Sequence, residues 1–258
     1  MKAIILSAGQ GKRLFPLTEN SPKCLLSIAP ARTLLGWQID QLIKAGIADI
    51  RVVTGYRALD VASEIAHYRP LAHIETIFNE EFDKADNLVS VWKARHEMTG
   101  DFILLNGDTL FTADVARTLV NSPRADITVA ISHKDRYDSD DMKVSLEKGR
   151  LSRIGKALPL EDVDGESIGM IRFSHAGADA FCRTAAETLS QENGRRMWYL
   201  SVIDALADSM PIATVAVPPS DWCEVDFPVD LQRARAAVAH WSAAGDSGEM
   251  ELETARAS

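Results

Sequence analysis

A glycine-rich loop directly follows the first apolar run of the chain and is accompanied by two separated cations. Residues 7–13 read SAGQGKR, and Lys23 follows shortly after a proline. Closely spaced glycines allow backbone N–H groups to approach anionic oxygens, and Arg13 and Lys23 add fixed positive charge. The segment is therefore a candidate phosphate-binding loop, and a plain turn is the alternative interpretation.

The spacing of this loop excludes two common phosphate-binding motifs. A P-loop requires serine or threonine after its G-K pair, but Arg13 follows Lys12. A dinucleotide-binding loop needs a third glycine where Leu14 stands and a helix that begins at the loop. Pro16 and Pro22 disfavour such an early helix. If the loop binds phosphate, it does so in another way.

Two further segments carry carboxylates at positions suited to chemistry. Asp108 follows the apolar run 102–106 through Gly107, at the strand end where open α/β sheets bind ligands. Glu224 and Asp226 alternate in W-C-E-V-D, so a strand would place both on one side. Asp108 and Asp226 would suffice for Mg2+, which takes one or two carboxylates plus phosphate oxygens and waters. The alternatives are a turn residue at Asp108 and a helix cap at Asp226.

Short β-type runs that alternate with amphipathic helical patterns must position these residues. Such alternation is typical of βαβ units, so the predicted class is α/β with a largely parallel sheet. Strands are predicted at residues 2–6, 50–54, 74–78, 102–106 and 127–132. Helices are predicted at residues 33–45, 59–68, 88–97 and 113–121. Asn87 is expected to cap the third helix, and Gly46 and Gly100 stand where helices should end.

The second half of the chain has a different pattern of predicted strands and helices. Residues 143–154 read as a hairpin, and a mixed-sheet insertion follows the parallel core. Helices are expected at residues 176–190 and 198–209, a strand at 212–217, and a last helix from Pro228 to about His240. One domain over residues 1–243 is predicted. Residues 244–258 are small and acidic and are expected to form a disordered tail.

Composition narrows the class of protein further. The net charge of -9 and pI of 5.2 argue against nucleic-acid binding. Apolar runs end far short of the ~20 residues that span a bilayer, and the N-terminal run is too short for a signal peptide. The 3 cysteines have no zinc or disulfide spacing, and the 6 histidines no metal or nucleophile spacing. A cytoplasmic protein is expected, and homo-oligomer formation stays open.

The glycine loop with Pro22-Lys23, the Gly107-Asp108 pair and the W-C-E-V-D segment together resemble the signature of a nucleotidyltransferase family. This family includes sugar-1-phosphate nucleotidylyltransferases and phosphocholine cytidylyltransferases. The resemblance implies a three-layer Rossmann-like fold with a mixed, mostly parallel central sheet and a β-rich acceptor-binding insertion. It further implies Mg2+ on Asp108 and Asp226, Arg13 on phosphate oxygens and Lys23 at the α-phosphorus. The implied nucleotide-binding residues are Leu6, Ala8, Gly9, Gly11, Arg13, Asn87 and Asp108.

A weaker part of the resemblance concerns the acceptor. Lys156, Glu166 and Gly169 match the family's acceptor-binding strands. Sugar-specific members usually carry Glu-Lys-Pro, but Gly155 and Ala157 flank Lys156 here, which disfavours a sugar. Three aromatic residues are candidate walls that would hold an acceptor ammonium by cation–π contact, with core packing as the alternative. They are Trp198, Tyr199 and Trp222.

The stretches N-E-E-F at residues 79–82 and N-L-V-S-V-W at 87–92 resemble the phosphocholine and inositol phosphate cytidylyltransferase branch. The expected function is transfer of a nucleoside monophosphate, CMP from CTP, to phosphocholine, an aminoalkyl phosphonate or a polyol phosphate. Pyrophosphate is released. One alternative is a sugar-1-phosphate nucleotidylyltransferase, and another is a non-catalytic nucleotide-sensing subunit.

Overall fold

The computed structural model describes the backbone of residues 1–256 and the side chains of residues 1–244. The strands are β1 (Lys2–Ser7), β2 (Ser27–Ala29), β3 (Arg32–Thr33), β4 (Asp49–Thr54), β5 (His73–Phe78), β6 (Phe102–Asn106), β7 (Thr109–Phe111), β8 (Ile127–Ser132), β9 (Lys143–Glu147), β10 (Arg150–Gly155), β11 (Gly165–Phe173), β12 (Ile212–Ala216) and β13 (Trp222–Glu224). The helices are α1 (Leu34–Lys44), α2 (Ala58–Ala66), α3 (Asn87–Lys93), α4 (Ala113–Asn121), α5 (His175–Leu189), α6 (Tyr199–Ala207) and α7 (Pro228–Arg256).

Nine of these strands form one mixed sheet in the order β5-β4-β1-β6-β11-β8-β12-β10-β9. The first four lie parallel to one another, as expected for successive βαβ units. Their bounds agree with the predicted strands to within a residue or two. The expected hairpin is confirmed as β9 and β10, and the expected strand near residues 212–217 as β12, which pairs in parallel with β8.

The placement of β11 differs from the prediction. Its segment was expected in an insertion beside the core, but β11 lies at the centre of the sheet, antiparallel to both β6 and β8. All nine of its residues are buried. Polar residues such as Glu166 and Arg172 obscure this strand in the sequence, because each is buried only with the help of a specific partner.

Helices cover both faces of the sheet and produce the expected three layers. On one face, α1, α2 and α4 pack through residues such as Ile39, Val61 and Val115. On the other face, α3, α5 and α6 pack through residues such as Val91 and Phe181. The parallel strands therefore contribute alternate side chains to two separate cores, which fixes their register.

A third, smaller core decides where the candidate functional residues meet. Leu14 of the glycine loop is fully buried in it, together with Val225, which precedes α7, and Leu231 of α7. Arg13 precedes Leu14 and Asp226 follows Val225 in the chain. Burial of these two apolar anchors therefore brings the glycine loop and the W-C-E-V-D segment, which are far apart in the sequence, to one place.

Three local predictions need correction or qualification. Asn87 does not cap α3, because Asp86 stands at the cap position without a side-chain bond and the Asn87 Oδ1 accepts instead from the N–H of Tyr199 at 3.0 Å. The last helix extends to Arg256 rather than ending near His240. The expected tail, residues 244–258, overlaps the end of this helix. Its side chains beyond residue 244 lie outside the described part of the structure, so its disorder stays a prediction. No helix in the described part of the chain combines the length and apolarity needed to cross a membrane.

Arg172 on β11 is a buried guanidinium that satisfies the end of α4. Its nitrogens donate to a hydroxyl and four carbonyls: Oγ1 of Thr128 and the backbone O of Leu119, Val120, Ser122 and Pro123. We expect Arg172→Met to lower the free energy of unfolding by about 2 to 4 kcal/mol, because these buried acceptors lose a charged donor. Urea unfolding measures this loss.

Arg117→Met is the matched control. Arg117 also donates to a helix-end carbonyl, that of Lys44, but it is exposed and paired with Asp114. Its replacement should change stability by less than about 1 kcal/mol. Equal effects of the two substitutions would contradict the role assigned to Arg172.

Candidate active site

A cavity of about 670 Å³ opens at the carboxyl ends of β1 and β6. The glycine loop, residues 82–86, the Gly107-Asp108 pair and Asp226 surround it. Its lining residues are Leu6, Ser7, Gly9, Gln10, Gly11, Lys12, Arg13, Lys23, Cys24, Phe82, Asp83, Lys84, Ala85, Asp86, Gly107, Asp108, Arg196 and Asp226. The cavity lies where ligands bind in open α/β sheets.

Lys23 joins the two aspartates that the sequence singled out. Its Nζ lies 2.9 Å from Asp108 Oδ2 and 2.6 Å from Asp226 Oδ1. Arg13 approaches the other oxygen of Asp226, with Nη1 at 3.0 Å from Oδ2. Two cations and two carboxylates from four distant segments thus meet on the wall of one cavity.

The pKa shifts of these groups follow from their contacts. Burial opposes the charge of Lys23, but the charges of Asp108 and Asp226 outweigh it, so the pKa of Lys23 is raised. Burial likewise opposes ionisation of Asp226, but Lys23, then Arg13 and Lys156, lower its pKa. Lys23 and Asp226 are therefore both charged at neutral pH.

Asp108 stands in the turn between β6 and β7, in agreement with its simpler interpretation as a turn residue. Asp226 does not cap α7, because both of its carboxylate oxygens bond to Lys23 and Arg13, and Oδ2 of Asp230 accepts from the N–H of Phe227 at 2.8 Å. The Oδ1 of Asp108 is buried and has no hydrogen-bond partner within the described residues. An orphaned carboxylate oxygen is costly unless something binds it, so this oxygen indicates a missing ligand.

The residues fit a Mg2+ ion. Asp108 offers the orphaned oxygen, and Asp226 lies across the shared Lys23 ammonium. No group of 3 or more His, Cys, Asp or Glu side chains suited to a metal occurs in the described part of the chain. An ion here would therefore rely on two carboxylates with phosphate oxygens and water, which is the donor set that Mg2+ prefers.

Gly107 has to be glycine because the chain passes very close to β1. A Cβ at this position would lie 2.2 Å from the carbonyl oxygen of Leu6. We expect Gly107→Ala to move Asp108, to reduce turnover strongly and to destabilise the fold by about 2 kcal/mol or more. Steady-state kinetics and urea unfolding measure the two effects.

Gly155→Ala provides the comparison for stability, because a Cβ at Gly155 meets nothing within 4 Å. Its free energy of unfolding should remain close to that of the wild type. If Gly107→Ala is equally well tolerated, the close approach to Leu6 does not constrain the position of Asp108.

The predicted nucleotide-binding residues divide into two groups. Those that line the cavity are Leu6, Gly9, Gly11, Arg13 and Asp108. Ala8 lies just behind the loop, buried, with its carbonyl accepting from the N–H of Tyr56. Asn87 does not line the cavity, and its amide oxygen is occupied by the N–H of Tyr199.

Sequence reasoning missed Arg196, which lines the same cavity. Its neighbours are held by the start of α3: Asp86 N–H donates to Arg195 O at 2.8 Å, and Leu88 N–H to Met197 O at 3.4 Å. Among the described residues, the side chain of Arg196 has no hydrogen bond or ion pair, and its backbone N–H donates to Asn193 O at 2.9 Å. In the sequence, the Arg195-Arg196 pair just before α6 could have indicated that this segment lines the cavity. It resembles an ordinary polar loop unless the backbone hydrogen bonds to the start of α3 are known.

The three aromatic residues predicted to wall the acceptor pocket have different surroundings. Tyr199 is 0% exposed and its hydroxyl donates to Asn106 Oδ1 at 3.0 Å. Trp222 packs against the core under α1 and α4. Trp198 is exposed, but the Lys156 Nζ already lies 5.0 Å from its ring centroid. Core packing therefore describes Tyr199, and only Trp198 remains beside a predicted acceptor residue.

Glu166 and Gly169 both have partners within the protein. The buried Glu166 carboxylate lies 2.8 Å from the Lys134 Nζ. Gly169 has a φ of 73°, and a Cβ there would lie 2.4 Å from the Asn106 Nδ2. The space at Gly169 is thus taken by Asn106 rather than left for an acceptor.

Glu224 is the last residue of β13, is exposed and stands beside the Lys23 cluster. Partial loss of hydration, and then the negative charges of Asp108 and Asp226, raise the pKa of Glu224. Because β13 ends at Glu224, Asp226 follows the strand and does not alternate with Glu224 along it, as the sequence had suggested.

The chain resembles known nucleotidyltransferases over most of its length. It is 26% identical to the CTP:phosphoglutamine cytidylyltransferase of Campylobacter jejuni, over 90% of this chain and 98% of that protein. It is 29% identical to the choline-phosphate cytidylyltransferase of Streptococcus pneumoniae, over 58% of this chain and 67% of that protein. The structure of the inositol-1-phosphate CTP transferase from T. maritima superimposes with a TM-score of 0.76 at 20% identity, covering 93% of this chain and 95% of that one.

These relatives belong to the branch that the sequence motifs indicated, and the solved structure confirms the fold. The family model described as nucleotidyl transferase matches residues 2–140, which is more than half of the chain and contains the glycine loop, Lys23 and Asp108. The chain is therefore an enzyme of the nucleotidyltransferase class and belongs to the nucleotidyl transferase family.

Proposed function

We propose that this enzyme uses Mg2+ to transfer CMP from CTP to a small phosphorylated acceptor, with release of pyrophosphate. The observation that carries the proposal is the Lys23 ammonium within hydrogen-bond distance of both Asp108 and Asp226, on the wall of a cavity bordered by a glycine loop. The names of the relatives support CTP as the donor. They add phosphoglutamine to the acceptors expected from the sequence, which are phosphocholine, an aminoalkyl phosphonate and a polyol phosphate.

The proposed reaction needs no protein general base. An acceptor phosphate with a second pKa near ~6 is largely dianionic at neutral pH. One of its oxygens attacks the α-phosphorus of CTP, and the bond from that phosphorus to the bridging oxygen of the β-phosphate breaks. The electron pair leaves with pyrophosphate. The enzyme has to align the reactants and neutralise charge.

The chain's own residues can supply both. Backbone N–H groups at Gly9 and Gly11, together with Arg13, would hold the phosphates that become pyrophosphate. Lys23 would stabilise the negative charge that develops at the α-phosphoryl oxygens, because its pKa is raised and it stays protonated. Asp108 and Asp226 would hold Mg2+. When bound, that ion neutralises phosphate charge and orients the triphosphate.

On the acceptor side, Lys156 is the predicted residue whose placement supports a role. Burial opposes ionisation of Asp226, but Lys23, Arg13 and then Lys156 lower its pKa, so the charge of Lys156 acts on the same carboxylate as the Lys23 cluster. With Trp198 beside it, Lys156 would hold the acceptor phosphate at the edge of the cavity.

The test is pyrophosphate release from each NTP in turn, with a panel of phosphorylated acceptors and with EDTA as the metal control. The panel contains phosphocholine, phosphoglutamine, 2-aminoethylphosphonate, inositol 1-phosphate and glucose 1-phosphate. We expect CTP with a non-sugar acceptor to give the highest kcat/KM, and EDTA to abolish release. A sugar 1-phosphate as the best acceptor would establish the alternative function, and no release with any pair would refute transfer itself.

A further inference from the structure

Lys143, the first residue of β9, is a buried lysine that the catalytic proposal does not use. It is 2% exposed, and its Nζ donates to the carbonyl oxygen of Lys156 at 2.9 Å. Among the described residues, no carboxylate lies within 4.0 Å of this ammonium. Burying an ammonium without a carboxylate partner is costly, so its retention calls for a physical reason.

The sheet register shows what the Lys143 ammonium holds. Lys143 pairs with Gly155 on β10 and with Glu166 on β11, so it lies between the hairpin and the central strand. Lys156 follows Gly155 directly, at the point where β10 ends. The bond from Lys143 therefore fixes the backbone from which the Lys156 side chain reaches the ring of Trp198.

Carboxylates outnumber lysines around this point. Lys134 bonds to Asp141 at 2.7 Å and to Glu166 at 2.8 Å, and Lys156 Nζ lies 3.5 Å from Asp140 Oδ1. Lys143 adds a further positive charge beside them. Its loss would make the acceptor side more negative before a dianionic phosphate arrives, and like charge disfavours that phosphate.

We infer that Lys143 is a positioning residue for the acceptor phosphate: its ammonium holds the Lys156 carbonyl and adds positive charge to the acceptor side. The inference rests on the proposed function, since it assumes that Lys156 meets the acceptor. It predicts a separation of kinetic effects, because the nucleotide cavity does not include Lys143.

The kinetic test compares Lys143→Met, Lys143→Gln, Lys156→Met and the double variant Lys143→Met with Lys156→Met. Methionine keeps the length of the side chain without charge, and glutamine keeps a donor without charge. We expect Lys143→Met to raise the KM of the best acceptor about tenfold while the KM of CTP and kcat change less than about twofold. Lys143→Gln should lie between Met and wild type. In the Lys156→Met background, Lys143→Met should add little.

A second readout needs no acceptor. Acylation of individual lysines by acetic anhydride, followed by mass spectrometry, reports how accessible and ordered Lys156 is in the free enzyme. We expect Lys156 to react several-fold faster in Lys143→Met, with the exposed Lys148 as internal reference. If no acceptor supports CMP transfer by the wild type, the proposed function fails, and the acylation rates still test Lys143.

Three outcomes would overturn the inference. One is an unchanged acylation rate of Lys156 in Lys143→Met. Another is fully additive effects of the two methionine substitutions on acceptor KM. The third is a lowered melting temperature with equal losses for CTP and acceptor, which is what a purely structural lysine would produce.

Discussion

Replacing Asp108 or Asp226 by alanine is expected to lower turnover by about three orders of magnitude at saturating Mg2+, because a metal that neutralises phosphate charge contributes several kcal/mol to such a transition state. Asp108 should tolerate the change structurally. Its Oδ2 bonds only to Lys23, and its Oδ1 has no partner among the described residues. Steady-state pyrophosphate release measures the loss, and urea unfolding checks that the fold is retained.

Asp114→Ala is the matched control, since Asp114 is an exposed carboxylate on α4 paired with Arg117 and lies outside the cavity. Its turnover should equal that of the wild type. Metal binding offers a second check: Mg2+ with CTP should raise the melting temperature of the wild type and of Asp114→Ala, but hardly that of the two site variants. If either site variant keeps more than a few per cent of wild-type turnover, the assignment of Asp108 and Asp226 to the metal is incorrect.

The parallel half of the fold could be predicted because local signals there agree with one another. The apolar runs at β1, β4 and β6 are short, rich in isoleucine, leucine and valine, and separated by amphipathic helices. β11 could not be placed in the same way. Its burial depends on Glu166 meeting Lys134 and Arg172 meeting the end of α4, and neither partner can be identified from the strand itself.

The convergence of the glycine loop, Asp108 and Asp226 at one cavity was easier to predict than the surroundings of the proposed acceptor residues, for a related reason. Gly107, Asp108 and Asp226 are constrained by chain geometry within a few residues of a strand end, so their spacing carries the information. The acceptor residues are side chains whose neighbours come from other elements. Tyr199 opens a helix beside the exposed Trp198, yet only the packing of α6 determines that its ring is buried and its hydroxyl bonds to Asn106.

Lys23→Ala is expected to lower kcat by about two to three orders of magnitude, the loss typical of removing one preorganised charge-stabilising group, with a smaller effect on the KM of CTP. The ammonium is 13% exposed and already balanced by Asp108 and Asp226 in the free enzyme. It therefore contributes little to ground-state binding. Its charge matters most when negative charge develops at the α-phosphoryl group.

The melting temperature of the free enzyme should also distinguish Lys23 from a residue that only binds CTP. Without the ammonium, Asp108 and Asp226 repel one another, so Lys23→Ala should melt at a lower temperature without Mg2+ and recover more on its addition than the wild type does. Lys148→Ala, on an exposed hairpin turn, should match the wild type in every measurement.

Lys12 lines the cavity and has no ion pair among the described residues. Lys12→Ala should therefore raise the KM of CTP and leave kcat nearly unchanged. The same pattern in Lys23→Ala would assign Lys23 to nucleotide binding alone.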